Sequence, residues 1–240
     1  IEWLGEHFTV IALDTPGCGN STLARAILGL VKPSAGAIRW QEWSMDTTDR
    51  ARMREMRRGL QVVFQDPFGS LDPRMTVGDS VREALDALEG RCDSAEARRR
   101  VAAALVEVGL DPGFAGRYPH ELSGGQCQRI AIARATIVRP RLLICDEAVS
   151  ALDVSVQAQI VNLLHDLSRR HEMALLFISH NLAVVRHLCE DVVVLYLGRV
   201  VEHASRDALF ATPRHPYTRA LLAAVPEPDP RRASHTAATV

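Results

Sequence analysis

The chain predicts an α/β domain: a mainly parallel sheet flanked by helices, with a helical subdomain inserted in it. Two observations carry that prediction. First, four apolar runs of strand length end in polar residues, and helical patterns separate them. Phe8–Leu13 runs into a Gly-rich turn, Leu60–Phe64 into Gln65, Leu142–Cys145 into Asp146-Glu147, and Ala174–Ile178 into Ser179-His180. Strands that alternate with helices pair in parallel, and their carboxyl ends then share the sheet edge where ligands bind. Second, two amphipathic patterns follow one another directly, at residues 76–89 and 94–108, and break the alternation.

Each element follows from local pattern. Phe8–Leu13 is almost wholly apolar, as a buried parallel strand should be. Past the Gly-rich turn, Leu23, Ala24, Ala26, Ile27 and Leu30 recur at helical spacing. Residues 33–43 predict a turn and a short strand. Residues 47–58 are polar and Arg-rich, and Met53 and Met56 give that stretch one apolar side, so a surface helix is expected. Its Arg52, Arg54, Arg57 and Arg58 are most simply a solvated face, as are Arg98 to Arg100. In the second of the consecutive helices Val101, Leu105 and Val108 recur at helical spacing. Asp111-Pro112-Gly113 and Tyr118-Pro119 punctuate the loop that follows.

Leu122–Gln126 leads into a helix expected from about Gln128 to Val138. Strand Leu142–Cys145, a long helix over 154–170 and strand Ala174–Ile178 come next. A short helix (Leu182 to Cys189) and strands at Val192–Leu197 and Arg199–Val201 follow. His215-Pro216-Tyr217 opens a small helix to about Ala224, and the Pro-, Asp- and Arg-rich end from Pro226 is expected to be disordered.

Composition bounds the answer. At 240 residues and 26.4 kDa this is one large domain, or a domain with a subdomain. Hydrophobic content of 47% and charged content of 24% are ordinary for a globular chain. The formal net charge of −1 gives no global attraction to nucleic acid or to an anionic membrane. No apolar run is long enough to span a bilayer, and no signal peptide is visible. Five scattered Cys without a C-x-x-C point to neither a zinc site nor a disulfide framework. The chain begins at Ile1 rather than Met, so a further N-terminal piece is expected, and Lys32 is its only Lys.

The candidate site residues sit at the strand ends. Asp14–Thr22 has the context of a phosphate-binding loop: a strand, a Gly-rich turn with Gly17, Cys18 and Gly19, then a helix opening at Asn20-Ser21-Thr22. In such a loop backbone N–H groups and the helix N-terminus surround a polyphosphate. Asp146 at the end of an apolar strand can hold Mg²⁺, though Asp in a helix-capping position reads the same way. Glu147 beside it is placed to be a general base or to orient water. His180 could contact the same phosphate, and the Gln65 amide could reach Mg²⁺ or water. Ser123-Gly124-Gly125-Gln126 before a helix supplies a hydroxyl and open N–H groups at a positive helix end.

At this point the chain resembles a family, the ATP-binding subunits of ABC transporters, and among them those of oligopeptide and dipeptide importers. Leu122–Gln126 matches the family signature and Leu142–Glu147 the Walker B strand. Ser150–Asp153 matches the D-loop, His180 the switch histidine and Gln65 the Q-loop glutamine. The subgroup rests on Val63–Pro67, Ser70–Arg74, Val149–Gln159 and His215–Tyr217. The resemblance implies a P-loop NTPase core at residues 1–68 and 139–213, a helical and signature subdomain at 69–138, and a C-terminal extension at 214–240.

It further implies binding of ATP and Mg²⁺, with Glu147, His180 and Gln65 catalytic. Ser21, Gln65 and Asp146 would hold the metal. Gly17, Cys18, Gly19, Asn20, Ser21 and Thr22 would contact nucleotide from one subunit, and Ser123, Gly124, Gly125, Gln126 and Asp153 from the other. The implied partners are a second ATP-binding subunit (identical or paralogous), membrane-spanning permease subunits and, indirectly, an extracytoplasmic solute-binding protein, with no nucleic acid. The implied location is peripheral, on the cytoplasmic face of the inner (plasma) membrane.

The chain departs from the family pattern in its phosphate loop. Asn20 stands where the template G-x-x-x-x-G-K-[ST] has Lys, and Asp14 where it has its first Gly. The lost charge-assisted hydrogen bonds are worth roughly 1.5–3 kcal/mol, about 10- to 100-fold in affinity. Lys32 lies beyond the following helix, roughly 15 Å away at 1.5 Å per residue, and cannot substitute. At about 8 Å and an effective dielectric of about 20, Asp14 would repel each unit of phosphate charge by at most about 2 kcal/mol. Pro16 removes one N–H from the cradle. Three functional expectations follow. One is a subunit that couples ATP binding and hydrolysis to uptake of peptides or a related solute. The alternative is a catalytically weak subunit that completes a paralogue's site through its signature. The third is a decayed or truncated copy with no function, against which the intact Glu147 and His180 speak.

Overall fold

The structure is a computed structural model that describes residues 9–13, 20–40, 43–44 and 49–224. One six-stranded sheet organises it. The strands are β1 (Thr9–Leu13), β4 (Leu60–Val63), β5 (Leu142–Asp146), β6 (Ala174–Ile178), β7 (Asp191–Tyr196) and β8 (Arg199–Ser205), in the order β4-β5-β6-β1-β7-β8. All neighbours run parallel except β8, which returns antiparallel on β7. β2 (Arg39–Trp40) and β3 (Trp43–Ser44) form a separate antiparallel pair.

Period-two alternation divides the sheet's apolar residues between two cores. Leu142 and Ile144 of β5, with Leu176 and Ile178 of β6, meet Ala24, Ile27 and Leu28 of α1 (Asn20–Ile27) and its last turn. Met53 and Met56 of α2 (Arg50–Gly59) join them, which is why that Arg-rich helix has two methionines three apart. Leu143, Cys145, Leu175 and Phe177 face the opposite, larger core. That core is filled from α3 (Val77–Leu88), α4 (Ser94–Glu107), α5 (Gly124–Thr136), α6 (Val154–His171) and α7 (Leu182–Leu188). The two expected consecutive helices are α3 and α4, and α5 packs against both. Among the described residues no helix is long and apolar enough to cross a membrane.

Three elements differ from the sequence reading. α5 starts at Gly124 rather than Gln128, because Ser123 and Gln126 close a capping box around its first turn. β8 extends to Ser205 and leads directly into an unanticipated helix, α8 (Arg206–Ala211), capped by Ser205. The expected disorder from Pro226 lies outside the described residues.

The last helix among the described residues, α9 (Pro216–Ala223), is pinned to β8 through Glu202. That carboxylate, 8% exposed, accepts the N–H of Arg214 at 2.8 Å and of His215 at 3.0 Å, and the Tyr217 ring meets Tyr196 of β7 at a tilt, centroids 4.4 Å apart. Burial alone would push the Glu202 pKa up; its hydrogen bonds outweigh that and hold it below the usual value. A lowered folded pKa stabilises above the unfolded value of about 4.5 and loses that contribution as pH falls through the folded one. Glu202→Ala is therefore expected to destabilise at neutral pH by about 1.5–3 kcal/mol. The difference in thermal unfolding between the two chains should shrink below pH 4.5.

Candidate functional site

Parallel register delivers the candidate residues to one edge. Val63 of β4 lies opposite Cys145 of β5, and Asp146 opposite Ile178 of β6. Gln65, Asp146-Glu147 and Ser179-His180 therefore leave the sheet side by side. Asp146 is buried, 4% exposed, and by alternation it lies on the face of Leu142 and Ile144, which α1 covers. Its carboxylate is thus on the side of the sheet where α1 begins at Asn20. The helix-capping reading of Asp146 fails, since it belongs to β5 and the next helix begins only at Val154.

Glu147 leaves β5 in the left-handed region, at φ 51°. That conformation is uncommon for a residue with a side chain, and backbone strain of this kind gathers at functional sites. Its N–H donates to the Ile178 carbonyl at 2.9 Å, and its own carbonyl accepts from the Ser150 N–H at 3.0 Å and the Ser150 hydroxyl at 2.9 Å. So held, Glu147 brings its Oε1 to 3.3 Å from Nδ1 of His180, which is half exposed. The two are thirty-three positions apart in the chain and meet only because β5 and β6 are neighbours.

The segment at Ser150–Asp153 is tied to both. Gln157 donates from Nε2 to the Leu152 carbonyl at 2.8 Å, and its Oε1 accepts from Asn181, next to His180, at 3.5 Å. Asn181 was not singled out in the sequence. Its one signal was an Asn directly before an apolar helix, and it does cap α7, accepting from the Ala183 N–H at 3.0 Å. Asp153 stands at the N-cap of α6 without a capping bond from its side chain, and Val154 beside it is 82% exposed.

Ser123–Gln126 forms the start of α5. The Ser123 Oγ accepts from the Gln126 N–H at 3.3 Å, and Gln126 Oε1 accepts from the Ser123 N–H at 2.9 Å. Gly125 has a packing reason: a Cβ there would stand 2.7 Å from Cγ1 of Val156. Gly124 has none among the described residues, for its Cβ would find only ordinary contacts at 3.7 Å with Leu152 and Phe68. Gln65 is exposed just past β4. Asn20, Ser21 and Thr22 form the first turn of α1, the positive end of that helix. Gly17, Cys18 and Gly19 lie outside the described residues, as do Asp14 and Pro16. Among the described residues no group of three or more His, Cys, Asp and Glu converges as a metal cluster.

Comparison with known proteins decides what this edge belongs to. The ABC transporter family model matches residues 9–150, from β1 through the strand that carries Asp146. This chain belongs to the ABC transporter family. A second family model, the oligopeptide/dipeptide transporter C-terminal region, matches residues 201–239. Among relatives within the ABC family, the oligopeptide transport ATP-binding protein OppF of Salmonella typhimurium is 50% identical over 227 residues, 95% of this chain and 68% of its own length. OppF of Escherichia coli matches to the same extent, 50% over 227 residues. A putative peptide import ATP-binding protein of Brucella ovis is 51% identical over 214 residues, 89% of this chain and 67% of its own.

Two solved structures share the ABC fold at 29% identity. A dimeric ATP-binding cassette, MJ0796, in a post-hydrolysis state bound to ADP and Pi superposes with a TM-score of 0.75, covering 84% of this chain and 87% of that one. The cbiO1 protein of Clostridium perfringens, part of the transporter complex cbiONQ, gives 0.76 over 85% of this chain and 80% of its own.

Proposed function

We propose that this chain is the ATP-binding subunit of an ABC importer of peptides or a related solute, and that it works at a head-to-tail dimer interface. The observation that carries the reading is the Glu147–His180 pair at 3.3 Å, on the sheet edge where Asp146 faces α1. The relatives named for oligopeptide transport, and the C-terminal match at residues 201–239, support the solute class.

In this reading Glu147 is the general base, or orients the water that attacks the γ-phosphate. His180 steadies Glu147 and meets the same phosphate. The first turn of α1 and the Gly17–Gly19 loop bind phosphates through N–H groups and the positive helix end. The donors suit Mg²⁺: a buried carboxylate at Asp146, the Ser21 hydroxyl and the Gln65 amide oxygen are all hard oxygens, and Mg²⁺ takes few protein ligands. When bound, Mg²⁺ neutralises charge on the phosphates.

Ser123–Gln126 and Asp153 complete the site of a facing subunit. Support comes from Gly124, whose missing side chain internal packing does not require, and from the exposed Val154. The partners are a second ATP-binding subunit, permease subunits and an extracytoplasmic binding protein acting through them, with the chain at the cytoplasmic face of the membrane. A mixture with a paralogue carrying an ordinary phosphate loop tests this. ATPase activity should rise above that of the paralogue alone, and Ser123→Arg in this chain should abolish the gain. An unchanged rate with Ser123→Arg would show that this signature completes no site.

A further inference from the structure

The segment after Gln65 joins the sheet to the helical layer, and it grips α5 from two directions. Asp66 shapes it by accepting the N–H groups of Phe68 and Gly69, each at 3.0 Å, while the Ser70 hydroxyl donates to the Asp66 carbonyl at 2.6 Å. The Phe68 ring lies against Gly124 in the first turn of α5. From the last turn, Arg134 Nη1 donates to the Ser70 carbonyl at 2.6 Å. Leu71, next in the chain, is buried in the larger core. Among the described residues Arg134 has no ion pair. Burial lowers its pKa, and the Glu83 carboxylate only partly opposes this. A half-buried cation held to a neutral carbonyl is a poor stabilising device compared with an apolar side chain. What it supplies is a fixed place for that carbonyl.

We propose that Arg134 is a positioning residue that ties the segment after Gln65 to α5, and so fixes where Gln65 stands relative to Ser123–Gln126. The consequence for turnover rests on reading Gln65 and Ser123 as parts of ATP sites; the tie itself does not. Arg129, on the same helix, is the control. It donates to the Val108 carbonyl at 2.7 Å and to Gln159 at 3.1 Å, and so fastens α5 elsewhere.

Hydrogen exchange of the full chain, followed on the peptide covering residues 65–75, decides the tie. Arg134→Ala should speed exchange at Phe68, Gly69 and Ser70 by about tenfold or more, Arg134→Lys by less, and Arg129→Ala should leave those amides unchanged. Equal effects of Arg134→Ala and Arg129→Ala, or a change spread over the whole chain, would overturn the proposal. In the chain with Asn20→Lys and Asp14→Gly, Arg134→Ala should also lower kcat about tenfold while the Kd for ATP stays within twofold, with partial rescue by Arg134→Lys. A fall in ATP affinity with kcat intact would count against positioning. Absence of turnover in every variant would refute the ATPase reading, and the exchange result would still decide the tie.

Discussion

Glu147→Gln, in a chain whose phosphate loop carries Asn20→Lys and Asp14→Gly, is expected to lower ATP turnover by about 10²- to 10⁴-fold and to leave nucleotide binding intact. The change is isosteric. It keeps an oxygen that can meet His180 at the observed 3.3 Å, and Gln is no harder to hold at φ 51° than Glu. The backbone bonds from Glu147 to Ile178 and Ser150 do not involve the side chain, so the local fold should survive. What disappears is the carboxylate's capacity to take a proton from water. Single-turnover release of phosphate, alongside an ATP titration of the same protein, separates the two effects. A loss of turnover smaller than tenfold would remove Glu147 from the role of base.

The second large effect is expected from the phosphate loop itself. Restoring Lys at position 20 and Gly at position 14 should raise ATP affinity by about 10- to 100-fold, and turnover by at least as much. Asn20 is the first residue of α1, so Asn20→Lys adds a positive charge at the helix end that is proposed to bind phosphates. Each charge-assisted hydrogen bond it makes is worth roughly 1.5–3 kcal/mol, and the transition state, where charge shifts, gains at least as much as the bound ground state. Asp14→Gly removes a negative charge from the neighbourhood of an anion. Steady-state phosphate release from the unaltered and doubly changed chains, at equal protein and salt, reads the combined effect. Equal rates would show that this loop tolerates Asn20 as it stands.

The sequence carried most of the scaffold, because its signals are local. Strand length, apolarity and polar ends marked β4, β5 and β6, and methionine spacing marked the buried side of α2. The start of α5 is hidden in the sequence, since Gly-Gly argues against a helix on propensity. A reciprocal pair of hydrogen bonds between Ser123 and Gln126 overrides it. α8 leaves no periodic signal, because its six residues hold less than two turns. At the site, residue types and strand-end positions were legible, and pairings were not. Nothing local announces that Glu147 sits in the left-handed region or that it meets His180. Nor does anything local announce that Arg134 reaches Ser70, sixty-four positions earlier. Those facts depend on which strands and helices become neighbours. The placement of β1 between β6 and β7 is a property of the whole topology rather than of any one segment.

On the proposed reading, a sound ATP-site scaffold carries a phosphate loop short of one positive charge. Calorimetric titration of ATP with Mg²⁺ into the unaltered chain and into the chain with Asn20→Lys and Asp14→Gly, in one buffer, tests it most directly. Measurable binding to both is expected, tighter by about 10- to 100-fold in the altered chain. Dissociation constants within twofold of each other, or no binding by either chain, would contradict it.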